Sequence, residues 1–206
     1  MALYNEINVG RFNRFFQKHL GMKGGPPAPQ LSGDVQPSLA LHSDDENLYL
    51  EGWESFGISV LFAASPANGN EFRLRLPTTG NVIVLVEKIM AACGGTGSRC
   101  DLQYGQPGAD LGTSQQASVR SLDPRGRPGS TFVASSAQPA AQSQIGSNIS
   151  SVQLGANSFY DFIFTDAQRL VVLPTSAIQL SFNTVNIVTL ITVWWRERFL
   201  EEGERT

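Results

Sequence analysis

From Ala40 to Phe199 the chain is a succession of short β-type runs broken by turn residues, and that spacing admits few architectures. The runs are LYLEGW (48–53), GISVLFAA (57–64), EFRLRL (71–76), NVIVLVEKIMAA (81–92), RCDLQY (99–104), SVRSLD (118–123), STFVAS (130–135), SVQLGA (151–156), FYDFIF (159–164), RLVVLP (169–174), AIQLSF (177–182) and NIVTLITVWWRERF (186–199). Several alternate: Phe72, Leu74 and Leu76 oppose Arg73 and Arg75, the period of a half-buried strand. PANGN (66–70) and PTTGN (77–81) supply turn residues between runs. No helical period follows residue 40 and no strand–helix alternation is visible, which argues against nucleotide-binding α/β folds. The expected fold class over 40–199 is all-β, an antiparallel sandwich or barrel.

Two runs are apolar on both faces. In NIVTLITVWW, Ile187, Ile191, Val193 and Trp195 take one face, and Val188, Leu190 and Trp194 take the other. NVIVLVEKI behaves alike. An antiparallel strand packed on one core usually shows a polar outer face. Apolar residues on both sides imply that the outer face is covered, by the N-terminal segment or by another subunit. After Trp195 the chain continues RERF. Arg196 and Arg198 share the face of Trp194, and Trp and Arg are the residues enriched at interface hot spots. The alternative places one Trp in the core and the other under a docked arm. LEEGERT (200–206) is a polar tail.

Residues 1–39 differ in kind. Phe12, Phe15, Phe16 and Leu20 fall on one helical stripe, Arg11, Arg14 and Lys18 lie off it, and Gly21 suits a helix end. Pro26, Pro27, Pro29 and Pro37 then exclude a helix or central strand across Gly24–Leu39. As a polyproline-like arm, that segment reaches roughly 50 Å at about 3.1 Å per residue. The expected organisation is an amphipathic helix and arm (1–39), a β domain (40–199) and the tail. Docking of the Phe stripe on the same domain or a neighbour is favoured over an interfacial membrane helix, which the modest charge supports weakly.

Composition removes several function classes. Charged residues are 16%, against about 25% in an ordinary domain. The net charge of −3 shows no global polyanion-binding signature, and four basic residues in the N-terminal thirty do not make a nucleic-acid motif. No apolar run reaches the 18 or so residues of a membrane span. The start, MALYNEINVGRFNRFF, has no basic region followed by an unbroken apolar run, so synthesis in a cytoplasm and reduced cysteines are expected. With only His19 and His42 there is no three-histidine metal centre. CGGTGSRC (93–100) is not a phosphate loop, because G-x-x-x-x-G-K-[S/T] is not met; it reads as a hairpin bearing either a disulfide or free thiols at Cys93 and Cys100. His42 precedes Ser43-Asp44-Asp45-Glu46, where a solvated turn outweighs a metal site. Asp161 and Asp166, on or beside a strand, are candidate paired carboxylates for glycoside chemistry, but nothing separates them from ordinary surface acids. No G-x-S-x-G elbow occurs. No cofactor and no catalytic activity are expected. Between Pro128 and Tyr160 there is no charged residue. This stretch is either a long solvated loop around a strand or two, or a segment packed on neighbouring subunits, where charge would be costly to desolvate.

The order RFNRFFQKHLGMKGGPPAPQL, then a β domain containing EFRLRLPTTGNVIVLVEKI, then WWRERFLEEGE, resembles small virion structural proteins of tailed bacteriophages. The resemblance lies in the two ends and that strand block. It implies a β-sandwich of jelly-roll type that assembles symmetrically on a phage particle, and it carries no catalytic residue. The expected function is therefore a non-enzymatic virion protein, made in the host cytoplasm, that decorates or stabilises the capsid. It would be a homo-oligomer, most simply a trimer, contacting itself and the major capsid protein. Phe12, Phe15, Phe16, Leu20, Pro26, Pro27, Pro29, Trp194, Trp195, Arg196 and Arg198 are the expected contact residues. A tail, collar or fibre component with receptor contact is the alternative within the virion; a carbohydrate-binding β-sandwich module or hydrolase is the alternative outside it.

Overall fold

The computed structural model describes residues 52–107, 109–122, 129–164 and 169–200. The expected N-terminal helix and arm, most of the 48–53 run, and the tail from 201 lie outside the described residues. Within them are β1 (Glu54–Phe62), β2 (Asn70–Arg75), β3 (Val82–Gly94), β4 (Ser98–Gly105), β5 (Thr113–Ser114), β6 (Arg120–Ser121), β7 (Val133–Ala137), β8 (Gly146–Leu154), β9 (Ser158–Ile163), β10 (Leu170–Val172), β11 (Ala177–Phe182) and β12 (Val188–Phe199). The all-β expectation holds: two six-stranded antiparallel sheets form a sandwich-like body. Sheet A has the order β10-β3-β12-β1-β6, with β9 also paired to β3, and sheet B the order β5-β7-β2-β11-β4-β8.

The alternation in the sequence becomes burial. Along β12, Thr189, Ile191, Val193, Trp195 and Glu197 are buried, and the residues between them are not. In β3 the apolar phase slips: Val82, Val84 and Val86 point to the core, then Ile89, Ala91 and Cys93 do. A β-bulge absorbs the slip, because Trp194 lies opposite Lys88 and Trp195 opposite Val86, leaving Glu87 as the extra residue. Sheet B contributes Phe72, Leu74, Leu102, Ile178, Leu180 and Phe182 to the same core. Trp195 is fully buried, stacked on Phe56 (6.1 Å between ring centroids) and edge-on to Phe132 (5.7 Å).

Glu197 is buried beside it. Its carboxylate accepts hydrogen bonds from Trp195 Nε1 (2.8 Å), the backbone N–H of Thr131 (3.0 Å) and of Phe132 (3.3 Å), and the Ser130 hydroxyl. A buried charge is tolerated when donors surround it. These donors tie the chain entering β7 to the end of β12.

Three local expectations change. Cys93 and Cys100 do not face each other across a hairpin: β3 belongs to sheet A and β4 to sheet B, so the glycine-rich turn carries the chain from one sheet to the other. Both thiols are free and buried, and Cys93 Sγ donates to the Gly155 carbonyl (3.0 Å). Within 118–122, the described part of the 118–123 run, only the two-residue β6 forms, preceded by a 3-10 turn at Gln116–Ser118. The uncharged stretch after Pro128 is a loop around two strands, but the loop is tied to the body rather than free. It forms β7, crosses the outer face of sheet B over residues 138–145, and forms β8.

That crossing explains a polar layer that alternation alone would assign to solvent. Glu71 and Arg73 of β2 and Gln179 of β11 point away from the core yet are buried. Arg73 donates to Gln179 Oε1 through Nε (2.9 Å) and Nη2 (2.6 Å), and to the Ala109 carbonyl (2.7 Å). Glu71 accepts from the backbone N–H and hydroxyl of Ser143. Gln142 donates to the Phe182 carbonyl and the N–H of Ile145 donates to Gln103 (3.2 Å). Short uncharged side chains and exposed backbone satisfy these groups without adding another charge to desolvate.

Candidate assembly interface

The opposite side of the body has a different chemistry. The register of sheet A places four outward-facing residues in one row: Phe159 of β9 opposite Ala92 of β3, Ala92 opposite Leu190 of β12, and Leu190 opposite Leu61 of β1. Beside this row, Val188 lies opposite Gly94. Leu61 is 69% exposed, Phe159 67% and Val188 41%. Ile163 and Val171 extend the exposed apolar surface along the β9–β10 margin. Single exposed apolar residues are ordinary; a row spanning four strands is the kind of patch that marks contact.

Toward the other end the face becomes mixed. Lys88 pairs with Asp161 (2.8 Å) and places Nζ 5.5 Å from the Trp194 ring centroid. Arg196 pairs with Glu87, the bulged residue, so the bulge presents a carboxylate to β12. Arg198 lies 5.3 Å from the centre of the Trp53 ring. The Trp194 indole covers Gly57, where a Cβ would meet Trp194 Cδ1 at 3.4 Å. A flat aromatic thus sits on β1 because β1 carries no side chain there.

The expected contact residues separate accordingly. Trp194, Arg196 and Arg198 share the outer face of sheet A. Trp195 does not belong with them: in phase with Ile191 and Val193, it is a core residue. Phe12, Phe15, Phe16, Leu20, Pro26, Pro27 and Pro29 lie outside the described residues, as do His19, His42, the 44–46 acids and Asp166. Asp161 is engaged with Lys88. Leu61, Phe159 and Ile163 were not among the expected contact residues, and Val188 was expected only as part of the covered outer face. For Phe159 and Ile163 the signal is present in FYDFIF, where they oppose Phe162, but either face of that run can be the inner one.

Among the described residues no three His, Cys, Asp or Glu side chains group as a metal site, and no helix is long and apolar enough to cross a membrane. The arrangement offers apolar contact area bordered by ion pairs. No protein-family model matches this sequence, and no curated protein matches it significantly.

Proposed function

We propose that this chain is a non-enzymatic structural protein of a phage virion, a homo-oligomer that decorates or stabilises the capsid through the outer face of sheet A. The observation that carries the assembly reading is the outward-facing apolar row Phe159–Ala92–Leu190–Leu61, half-buried in the middle and exposed at both ends. Covering each large apolar side chain contributes about 1.5–3 kcal/mol, enough for a few such residues to hold a subunit contact. Residues 1–39 add a tethered contact on a neighbouring subunit, favoured by high effective concentration.

The strand order supports a jelly-roll reading of the body. The series β1-β12-β3-β9 faces the series β2-β11-β4-β8, and successive strands switch sheets except at the β4-to-β8 step. Eight strands wound as two Greek keys have this order, a fold that recurs in capsid proteins. The virion placement rests on the resemblance of the chain ends and of residues 71–89.

The test is the solution mass by light scattering and the affinity for particles. The full chain should be oligomeric or bind particles tightly. Leu61→Glu with Phe159→Glu should weaken that association by about 100-fold or more, two tenfold steps of 1.4 kcal/mol each. Deleting residues 1–39 should weaken it further. A monomer that ignores particles, with or without residues 1–39, overturns the reading. Cryo-EM of the parent particle separates capsid from tail, collar or fibre.

A further inference from the structure

We propose that β8 pairs with the β8 strand of a second copy about a two-fold axis, joining two B sheets edge to edge. This goes beyond the apolar-face contact and uses a different part of the molecule. An edge strand offers unpaired backbone groups to any extended chain, and proteins blunt such edges by shortness, charge, proline or bulges. The other edges here follow that rule. β5 and β6 are two residues each, β10 is three, and β9 carries Asp161. β8 is nine residues, Gly146–Leu154, at the end of sheet B, and no described strand pairs with its outer side. Its one defence is a bulge at Ile149, between Asn148 opposite Gln103 and Ser150 opposite Leu102. Beyond the bulge, Ser150–Leu154 is regular and has no charge, proline or glycine.

The occupant follows from the composition. A two-fold contact sets residues near the axis against their own kind, so any charge there meets a like charge. The stretch around β8 has none from Pro128 to Tyr160. Val152 points toward the core yet remains partly exposed, and Ile149 is 47% exposed; a strand laid alongside covers both. Pairing Ser150–Leu154 with itself centres on Val152. Ser150 then meets the partner's Leu154, Ser151 meets the partner's Gln153, and Val152 meets the partner's Val152. Directly opposed residues have Cα atoms about 4.5–5.5 Å apart, within the reach of a disulfide. The two copies of Ile149 stand six positions out of register, about 20 Å apart at 3.3 Å per residue.

The experiment uses the full chain and an oxidant. Cys100 lies directly opposite Val152 on β4, so both cysteine variants are made with Cys100→Ala. Val152→Cys should then give a disulfide-linked dimer on non-reducing gels. Ile149→Cys, the more exposed position, should not, while Cys93 stays buried. In parallel, the full chain should contain an even number of subunits, and Ile149→Lys with Gln153→Lys should halve its solution mass and retain the β circular dichroism spectrum. Equal cross-linking at 149 and 152, or a mass unmoved by the lysines, overturns the pairing. A mass altered by Leu61→Glu and Phe159→Glu but not by the lysines also overturns it, and leaves the apolar-face reading standing.

Discussion

Replacing Glu197 tests whether the end of β12 is held by a buried carboxylate. Glu197→Leu removes the acceptor for Thr131 N–H and Trp195 Nε1, while Phe132 N–H keeps the Ser130 hydroxyl at 3.0 Å. Two buried donors are then left without this partner. At about 1–3 kcal/mol each, the expected loss is about 4 kcal/mol. For a domain of this size that lowers Tm by about 8–16 °C. Glu197→Gln keeps one acceptor oxygen but turns an NH₂ toward other donors, so it should lose about half as much. The assay is thermal and urea unfolding at pH 7, with hydrogen exchange to locate the damage. The amide of residue 131 should exchange faster in both variants, and those of β11 should change only in proportion to global stability. A Glu197→Leu loss below about 1 kcal/mol would refute the reasoning, as would Glu197→Gln being the more damaging of the two.

Three further outcomes are expected. Burial alone would raise the pKa of Asp101, but hydrogen bonds from Ser151, Arg99 and Asn183 outweigh it and hold the carboxyl below the usual aspartate range. Its stabilisation is therefore present above the unfolded value of about 3.9 and lost as pH falls through the folded one. Asp101→Asn should be less stable than the parent at pH 7, with the gap closing in acid; a constant gap from pH 7 to 2 contradicts the assignment. Burial, with the neighbouring Asp101 charge, pushes the Cys100 thiol up, and Cys93 is buried. Ellman's reagent should find almost no thiol in the native protein and both after denaturation; rapid native reaction at Cys100 speaks against it. Arg73→Lys keeps the charge but loses the fork on Gln179. It should cost about 2–3 kcal/mol by urea unfolding, and a neutral outcome would mean the polar layer is not held by that fork.

Much of the strand content was legible because burial of one face imposes a period of two. AIQLSF coincides with β11, and Trp194 and Trp195 separate to opposite faces, as alternation requires. The apolar outer face of sheet A was legible from Val188, Leu190 and Trp194, although its exposed margin at Phe159 and Ile163 was not. Those two residues alternate with Phe162 in a run whose inner face is chosen by the partner strand.

The sequence alone determined an all-β body, its strand positions and a sheet with apolar residues on both sides, since these follow from local period and turn chemistry. Tertiary structure decided what each face meets. It sent the CGGTGSRC turn between sheets rather than into a hairpin, because sheet membership depends on long-range pairing that glycines do not encode. It buried Glu71, Arg73 and Gln179 on a face that reads as solvent, because residues 138–145, remote in sequence, lie across it. It turned the missing charge of that stretch into a cover for one sheet and, in β8, an edge that among the described residues is guarded only by a bulge.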